Sequence, residues 1–161
     1  MKKNKPLKVS IVMGSQSDYK TMKLAEKTLK KIGVSFESKI ISAHRTPMRM
    51  YEFASSAEKN NIGVIIAGAG GSAHLPGMIA ALTPLPVLGV PIESKKLKGL
   101  DSLLSVNQMP RGVVVATVAI DGSFNAGILA ASIIGNFDEK VKSNLEKWRR
   151  VQTLSVKKKP K

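Results

Sequence analysis

Short apolar runs recur along the chain, and each is followed by a turn rich in glycine or polar residues. Five such runs, rich in β-branched residues, cover 8–13, 35–41, 64–69, 86–90 and 113–118. Nearly continuous apolar runs of this length are typical of parallel strands that are buried on both faces. The segments between them mostly have helical periodicity. The pattern therefore predicts an α/β fold built on a parallel sheet.

The first two connecting segments have clear helix signals. In the first, Met22, Ala25, Leu29 and Ile32 repeat on one face, and Gly33 follows as a C-terminal stop. In the second, a proline stands in the first-turn position and apolar residues repeat at helical spacing behind it. The residues of this second pattern are Pro47, Met50, Phe53, Ala54 and Ala57. Both segments are predicted to be amphipathic helices.

Four further helices are predicted over 73–82, 100–106, 125–134 and 138–156. The last of them carries one apolar stripe, made of Val141, Leu145, Trp148 and Val151. Because this helix lies beyond the last predicted strand, we expect it to pack on another subunit.

The composition is that of an ordinary globular protein, with 43% hydrophobic and 23% charged residues among 161. This length fits one domain over 1–161, with flexible lysine-rich ends at 1–7 and 157–161. The absence of cysteine excludes disulfides and thiol nucleophiles, and it suits a reducing cytoplasm. Every apolar run is shorter than the about 20 residues that a membrane span needs. The first run is also too short for a secretory signal.

The net charge of +15 raises the alternative of a basic protein that binds nucleic acid. Eight of the 26 cationic residues are lysines in segments 2–8 and 157–161, which leaves the body with less than half of the excess. The body has few aromatic residues on which bases could stack. Solvated lysines that help to attract an anionic substrate are therefore the favoured interpretation.

Candidate chemistry lies where the first three predicted strands end. The turns there are 14–18, 42–47 and 68–76, and together they hold both histidines of the chain, His44 and His74. In an open parallel sheet, ligands bind outside the carboxyl ends of the strands, near the point where the strand order reverses. We therefore expect these three turns to form one site.

The first turn is suited to a phosphate. Backbone N–H groups and the hydroxyls of Ser15 and Ser17 can surround the anion at the start of a helix, while Asp18 suits ribose hydroxyls. An N-capped turn without a ligand is the alternative. The second turn pairs His44, which can exchange protons near neutral pH, with Arg45, which can hold a phosphate through two hydrogen bonds. A histidine in an ordinary loop is the alternative there, and two histidines make a poor metal site.

The third turn allows two interpretations. Gly68, Gly70 and Ala73 match the pattern G-x-G-x-x-A, and Glu93 follows 20 residues later, as in dinucleotide-binding domains. A nicotinamide- or flavin-binding domain ranks second, because the pattern opens the third unit and the chain leaves little room for a substrate domain. Glycines that let the backbone approach a smaller ligand explain the turn as well. His74 by itself is as easily structural as functional.

Four long motifs occur in order, at 14–18, 42–47, 67–78 and 101–110. With these motifs the chain closely resembles the N5-carboxyaminoimidazole ribonucleotide mutase family, the catalytic subunits of phosphoribosylaminoimidazole carboxylase, over residues 8–152. The resemblance implies a doubly wound, flavodoxin-like sheet with an extra C-terminal helix, in a homo-octamer whose active sites lie where subunits meet. It implies no cofactor and no metal, and it allows functional coupling to an ATP-dependent synthase that makes the substrate.

The reaction implied by the resemblance belongs to purine biosynthesis. The carboxyl on the exocyclic nitrogen of the ribonucleotide leaves as carbon dioxide and returns at ring carbon C4. The catalytic acid and base matches His44. Substrate contacts match Ser15, Ser17, Asp18, Ser42, Ala43, Arg45, Gly70, Gly71, Ser72, His74 and Leu75.

Arg45, directly after the histidine, is usual in the mutase branch of the family. Direct addition of carbon dioxide to the uncarboxylated nucleotide is the alternative. The chain departs from the family pattern at Ser72, at Asn107 and over 121–124, and none of these positions is the proposed catalytic residue.

Overall fold

The structure, a computed structural model, describes residues 6–160. The strands are β1 (Lys8–Met13), β2 (Phe36–Ile40), β3 (Ile62–Gly70), β4 (Val87–Ile92) and β5 (Ala116–Thr117). The helices are α1 (Tyr19–Ile32), α2 (Pro47–Ser56), α3 (Leu75–Ala80), α4 (Leu100–Asn107), α5 (Ser123–Ile134) and α6 (Glu139–Ser155). The predicted flexible ends fall partly outside the described residues, at 1–5 and 161. Leu7, within the first of them, packs against the core.

All five strands are parallel, in the order β2-β1-β3-β4-β5. The chain passes from β1 to one side and then returns to place β3 on the other side. This is the strand order of flavodoxin-like sheets, with the reversal between β1 and β3. The prediction of an α/β fold with a doubly wound parallel sheet is confirmed.

The three central strands are buried on both faces, as predicted. Alternate residues point to opposite sides, so Ile11 and Ile66 belong to one core cluster while Val12 and Ile65 belong to the other. The first cluster is closed by α1, α5 and α6, and the second by α2, α3 and α4. Two apolar layers therefore hold the sheet rigid, and the loops at its carboxyl edge are attached to this framework.

Helix α1 follows the pattern that predicted it. Its buried face contains Met22, Ala25, Leu29 and Ile32, and Gly33 ends it in the left-handed conformation at φ +88°. The N–H of Gly33 donates to the Leu29 carbonyl, so the last turn is closed by the backbone. The predicted helix and its stop are confirmed.

The two edge strands differ from the prediction of strands buried on both faces. The second half of β2 is exposed, from Ser38 to Ile40, and β5 is only two residues long. Around β5 the exposure alternates, with Val114 77% exposed. Three of the five residues of β2 are polar, namely Glu37, Ser38 and Lys39, so its exposure agrees with its sequence. The apolar run around β5 is exposed because an edge strand has one neighbour only.

Helix α6 was expected to pack on another subunit, and for its first half this is wrong. Val141 and Leu145 are buried in the core cluster that contains α1 and α5 of the same chain, with Trp148 packed beside them. The Asn144 side chain also donates to the Ile32 carbonyl at 2.8 Å. The stripe leaves the core only at Val151, which is 60% exposed. The helix therefore folds back on its own chain before its last turns extend into solvent.

Candidate active site

The three predicted turns meet around one cavity of about 570 Å³ at the carboxyl edge of the sheet. The cavity lies at the reversal between β1 and β3 and extends to the end of β4. All twelve residues that the sequence singled out line it: Ser15, Ser17, Asp18, Ser42, Ala43, His44, Arg45, Gly70, Gly71, Ser72, His74 and Leu75. The lining also includes Gly14, Ala69, Ile92, Glu93 and Ser94. The structure thus brings the predicted set together in space.

The first turn is capped from within. The N–H of Ser15 donates to Oδ2 of Asp18 at 3.1 Å, and the Ser15 and Ser17 hydroxyls lie 2.5 Å apart. A 3₁₀ turn over Gln16–Asp18 then leads into α1. The turn is therefore capped, as the alternative interpretation expects, because Asp18 orders the loop. Ser15 and Ser17 nevertheless line the cavity. The two hydroxyls are hydrogen-bonded to each other, and that of Ser17 also lies 3.3 Å from Oδ1 of Asp18, so both would have to rotate to donate to one anion.

The second turn is closed by Ser42 and Thr46. The Thr46 hydroxyl accepts from the N–H of Ser42 at 3.0 Å and donates to its carbonyl at 2.9 Å. This closure buries Ala43 and leaves His44 and Arg45 exposed toward the cavity. The Arg45 guanidinium donates to the Gly14 carbonyl and to the Ser42 hydroxyl, each at 3.3 Å. Arg45 therefore connects the first turn with the second and places a fixed cation between them.

The two histidines form a direct hydrogen bond. Nε2 of His44 lies 2.8 Å from Nδ1 of His74, and the rings meet edge to face with centroids 5.0 Å apart. One nitrogen must carry the proton while the other accepts, so the bond exists only when the two facing nitrogens hold a single proton. The pair can pass one proton between two rings at the cavity wall. Sequence reasoning placed both rings on one rim but did not predict their contact.

The third turn is held by helix α4. Gly71 has φ +65°, and its N–H donates at 2.8 Å to the hydroxyl of Ser102, which is fully buried and itself donates to the Ile92 carbonyl at 2.6 Å. The Ser105 hydroxyl lies 3.3 Å from the Gly71 carbonyl. Sequence reasoning missed this support. The signal available in the sequence was the motif at 101–110, in which two serines stand among apolar residues.

The glycine at position 68, which was part of the dinucleotide-binding pattern, is explained by packing instead. Gly68 lies inside β3, and a Cβ there would collide with the sulfur of Met22 on α1. Its glycine therefore allows a helix to approach the sheet. The helix that follows the turn, α3, has only six residues.

Three lining residues at the end of β4, Ile92, Glu93 and Ser94, were not predicted as site residues. The sequence signal for these three residues was the end of the fourth apolar run, because β4 lies beside β3 and ends at the same edge of the sheet. The N–H of Glu93 donates at 3.0 Å to the carboxylate of Asp121, which also lies 3.4 Å from the Thr21 hydroxyl. Asp121 has φ +55° and belongs to segment 121–124, where the chain departs from the family pattern. This departure therefore shapes the cavity wall indirectly.

Among residues 6–160, no group of three or more histidine, aspartate or glutamate side chains is arranged to hold a metal ion. No helix in the same range is long and apolar enough to cross a membrane.

Comparisons with known proteins agree with this geometry. The AIR carboxylase family matches residues 8–154. A Vibrio parahaemolyticus protein named N5-carboxyaminoimidazole ribonucleotide mutase is 58% identical over 152 residues, which are 93% of this chain and 94% of that protein. A Pyrococcus horikoshii protein of the same name is 56% identical over 161 residues, 100% of this chain and 90% of that one.

Two further comparisons add a fusion and a solved structure. The Dictyostelium discoideum bifunctional purine synthesis protein purC/E is 54% identical over 155 residues, which are 95% of this chain and 15% of that protein. The crystal structure of Treponema denticola PurE superposes with a TM-score of 0.84 at 26% identity, covering 93% of each chain.

Proposed function

Since the chain belongs to the AIR carboxylase family, we propose that it converts N5-carboxyaminoimidazole ribonucleotide to 4-carboxy-5-aminoimidazole ribonucleotide in purine biosynthesis. It is then an isomerase that moves a carboxyl group within one nucleotide. The family resemblance predicted from the four motifs is confirmed. The dinucleotide-binding and nucleic-acid-binding alternatives gain no support from the relatives.

The observation that carries the mechanism is the hydrogen-bonded pair of His44 and His74 on the wall of a cavity lined by three strand-end loops. As the carboxyl leaves as carbon dioxide, the exocyclic nitrogen must gain a proton. The ring carbon C4 then attacks the carbon dioxide, forms the new C–C bond and must lose its proton. One proton is given and one is taken back, so a single imidazole can serve both steps.

His44 is the proposed donor and acceptor, and His74 is its partner. His44 enters this step with both ring nitrogens protonated and gives the Nδ1 proton to the substrate nitrogen, so the single proton between Nε2 of His44 and Nδ1 of His74 keeps the rings in contact. When C4 releases its proton, the pair returns to its starting state. The cavity also has to hold the carbon dioxide between the two steps, and excluding water from the loops would prevent its loss.

The remaining lining residues fall into three groups, according to the part of the nucleotide that each is proposed to bind. The hydroxyls of Ser15 and Ser17, together with the Arg45 guanidinium, are proposed to bind the phosphate, because they present donors on two adjoining loops. Asp18 is proposed to accept from the ribose hydroxyls. Loop residues beside the histidines are proposed to surround the base, namely Ser42, Ala43, Gly70, Gly71, Ser72, His74 and Leu75.

The wider context is also proposed. The reaction needs no cofactor or metal, because both bond changes are proton-assisted steps on the nucleotide. We expect 1–161 to act as one domain in the cytoplasm and to assemble as a homo-octamer, for which the exposed apolar residues Val151 and Leu154 on α6 offer contact surface. Coupling to the ATP-dependent synthase that supplies the substrate is proposed as well. The Dictyostelium relative, a fusion named for purine synthesis, supports association within the pathway.

The test supplies each nucleotide separately, with and without bicarbonate, and follows formation of the C4-carboxylated product. We expect fast conversion of the N-carboxylated nucleotide without added bicarbonate. Efficient turnover of only the uncarboxylated nucleotide with carbon dioxide would instead establish direct carboxylation. His44→Asn should keep fold and nucleotide binding but lower turnover by about 10²–10⁴-fold, the usual effect of losing a general acid or base. Near-normal turnover in that variant would move the role to His74.

A further inference from the structure

A cationic loop follows the cavity wall directly after β4. Glu93 and Ser94 line the cavity, and the next four residues are Lys95, Lys96, Leu97 and Lys98. All four are exposed. We call residues 95–98 the basic loop. Three of the four residues that follow the lining residue Ser94 are therefore lysines.

The base of this loop is fixed. The Ser94 hydroxyl accepts from the N–H of Gly99 at 3.2 Å and donates to the Asp101 carboxylate at 2.7 Å. Gly99 has φ +89°, and a Cβ there would lie 3.3 Å from the Cα of Glu93. The two ends of the basic loop therefore lie side by side. The backbone of the basic loop is therefore anchored next to the lining residues Glu93 and Ser94.

The lysines of the basic loop are not used for ion pairs within residues 6–160. The salt bridges of that range are formed by Glu37 with two lysines and by Glu139 with one, and all of these lie outside the loop. Three exposed ammonium groups close together repel one another. A bound anion would reduce this repulsion.

Carboxylates at the same rim make such compensation necessary. Asp18 and Glu93 line the cavity, while Asp101 and Asp121 hold its loops through hydrogen bonds. Three of the four have a structural task, since they accept from backbone N–H groups. Without nearby cations, this rim would repel a nucleotide that carries both a phosphate and a carboxylate.

We propose that Lys95, Lys96 and Lys98 form an electrostatic specificity element that favours the more anionic nucleotide. The inference rests on the proposed function and extends it to substrate selection. Attraction between separated charges grows with the charge of the ligand, so the basic loop acts more strongly on the carboxylated nucleotide than on the uncarboxylated one. It acts through solvent, so salt weakens it.

The test replaces all three lysines with glutamine and measures KM and kcat for the N-carboxylated nucleotide at two ionic strengths. At about 0.01 M salt we expect KM to rise about tenfold with kcat unchanged, and at about 0.5 M we expect a change below about twofold, because the Debye length shrinks from about 30 Å to a few Å. Calorimetric titration with the C4-carboxylated product and with the uncarboxylated nucleotide checks the dependence on ligand charge. The loss of affinity should be larger for the carboxylated ligand.

Two matched variants control the result. Lys95, Lys96 and Lys98 replaced together by arginine keep the charge and should keep the affinity at low salt. Replacing Lys30, Lys31 and Lys59 by glutamine removes the same charge at the opposite edge of the sheet, where α1 ends and β3 begins. Because these lysines lie farther from the cavity, this variant should raise KM much less than the loop triple does.

Equal effects from the loop triple and this far-edge triple would overturn the proposal, as would a KM increase that persists at high salt. A wild-type protein that turns over neither nucleotide would instead refute the proposed function. The two failures are therefore distinguishable.

Discussion

Ser102→Ala should both destabilise the protein and loosen the third turn of the site. The Ser102 hydroxyl is fully buried, accepts from the N–H of Gly71 at 2.8 Å and donates to the Ile92 carbonyl at 2.6 Å. Alanine removes both bonds and leaves two backbone groups without their partner. A buried polar group left unpaired costs about 1–3 kcal/mol, so we expect a loss of about 2–4 kcal/mol in the free energy of unfolding.

The loss is measured by denaturant unfolding at one fixed protein concentration, because subunit association contributes to the apparent stability. Since Gly71 lines the cavity, KM for the nucleotide should rise in the same variant, while His44 keeps its chemistry. Ser105→Ala is the matched control, because the single proton of the Ser105 hydroxyl is donated mainly to the Asp101 carbonyl of its own helix at 2.8 Å, with the Gly71 carbonyl at 3.3 Å, and the residue is not fully buried. It should cost less than about 1 kcal/mol. Equal stabilities of the two variants would refute the reasoning.

Three further predictions concern binding, pH and assembly. Arg45→Met should weaken nucleotide binding by about 1.5–3 kcal/mol, the scale of hydrogen bonds to charged groups, and calorimetry that finds unchanged affinity would move the phosphate site elsewhere. Burial opposes ionisation of Glu37, but hydrogen bonds and charges from Lys39 and Lys8 outweigh it and hold the pKa of Glu37 below its usual 4.5. The stabilisation from this carboxylate is therefore present above that pH and is lost as the pH falls through the lowered pKa. Unfolding midpoints of wild type and Glu37→Gln should differ most at neutral pH and converge in acid, and a gap that stays constant down to pH about 2 would contradict this. Light scattering should report a large homo-oligomer, and a fully active monomer at every concentration would contradict the proposed assembly.

The central elements could be predicted because their signals are local. The stripe of α1 and its stop at Gly33 come from spacing along one segment, and the continuous apolar runs of β1, β3 and β4 reflect burial on both faces. The edge strands could not be predicted in the same way. The run at 113–118 is as apolar as those of the central strands, and only the strand order leaves β5 with one neighbour, whereas Glu37, Ser38 and Lys39 make β2 polar in agreement with its exposure.

The same division holds for the site. The three turns could be assigned to one rim because parallel strands end at the same edge of a sheet, and the structure places them around one cavity. The supporting contacts could not be predicted, because Gly71 and Ser102 are 31 residues apart and Glu93 and Asp121 are 28 apart. No local pattern in either segment indicates which distant residue it will contact.

The sequence by itself therefore determined the α/β class, the central strands and the rim that carries both histidines, because periodicity and strand ends are properties of single segments. Only the tertiary structure decided that His44 and His74 share a hydrogen bond, that α6 folds back on its own chain, and that Ser102 supports the third turn. These features depend on the order and packing of the strands, which bring residues far apart in the chain to within hydrogen-bonding distance.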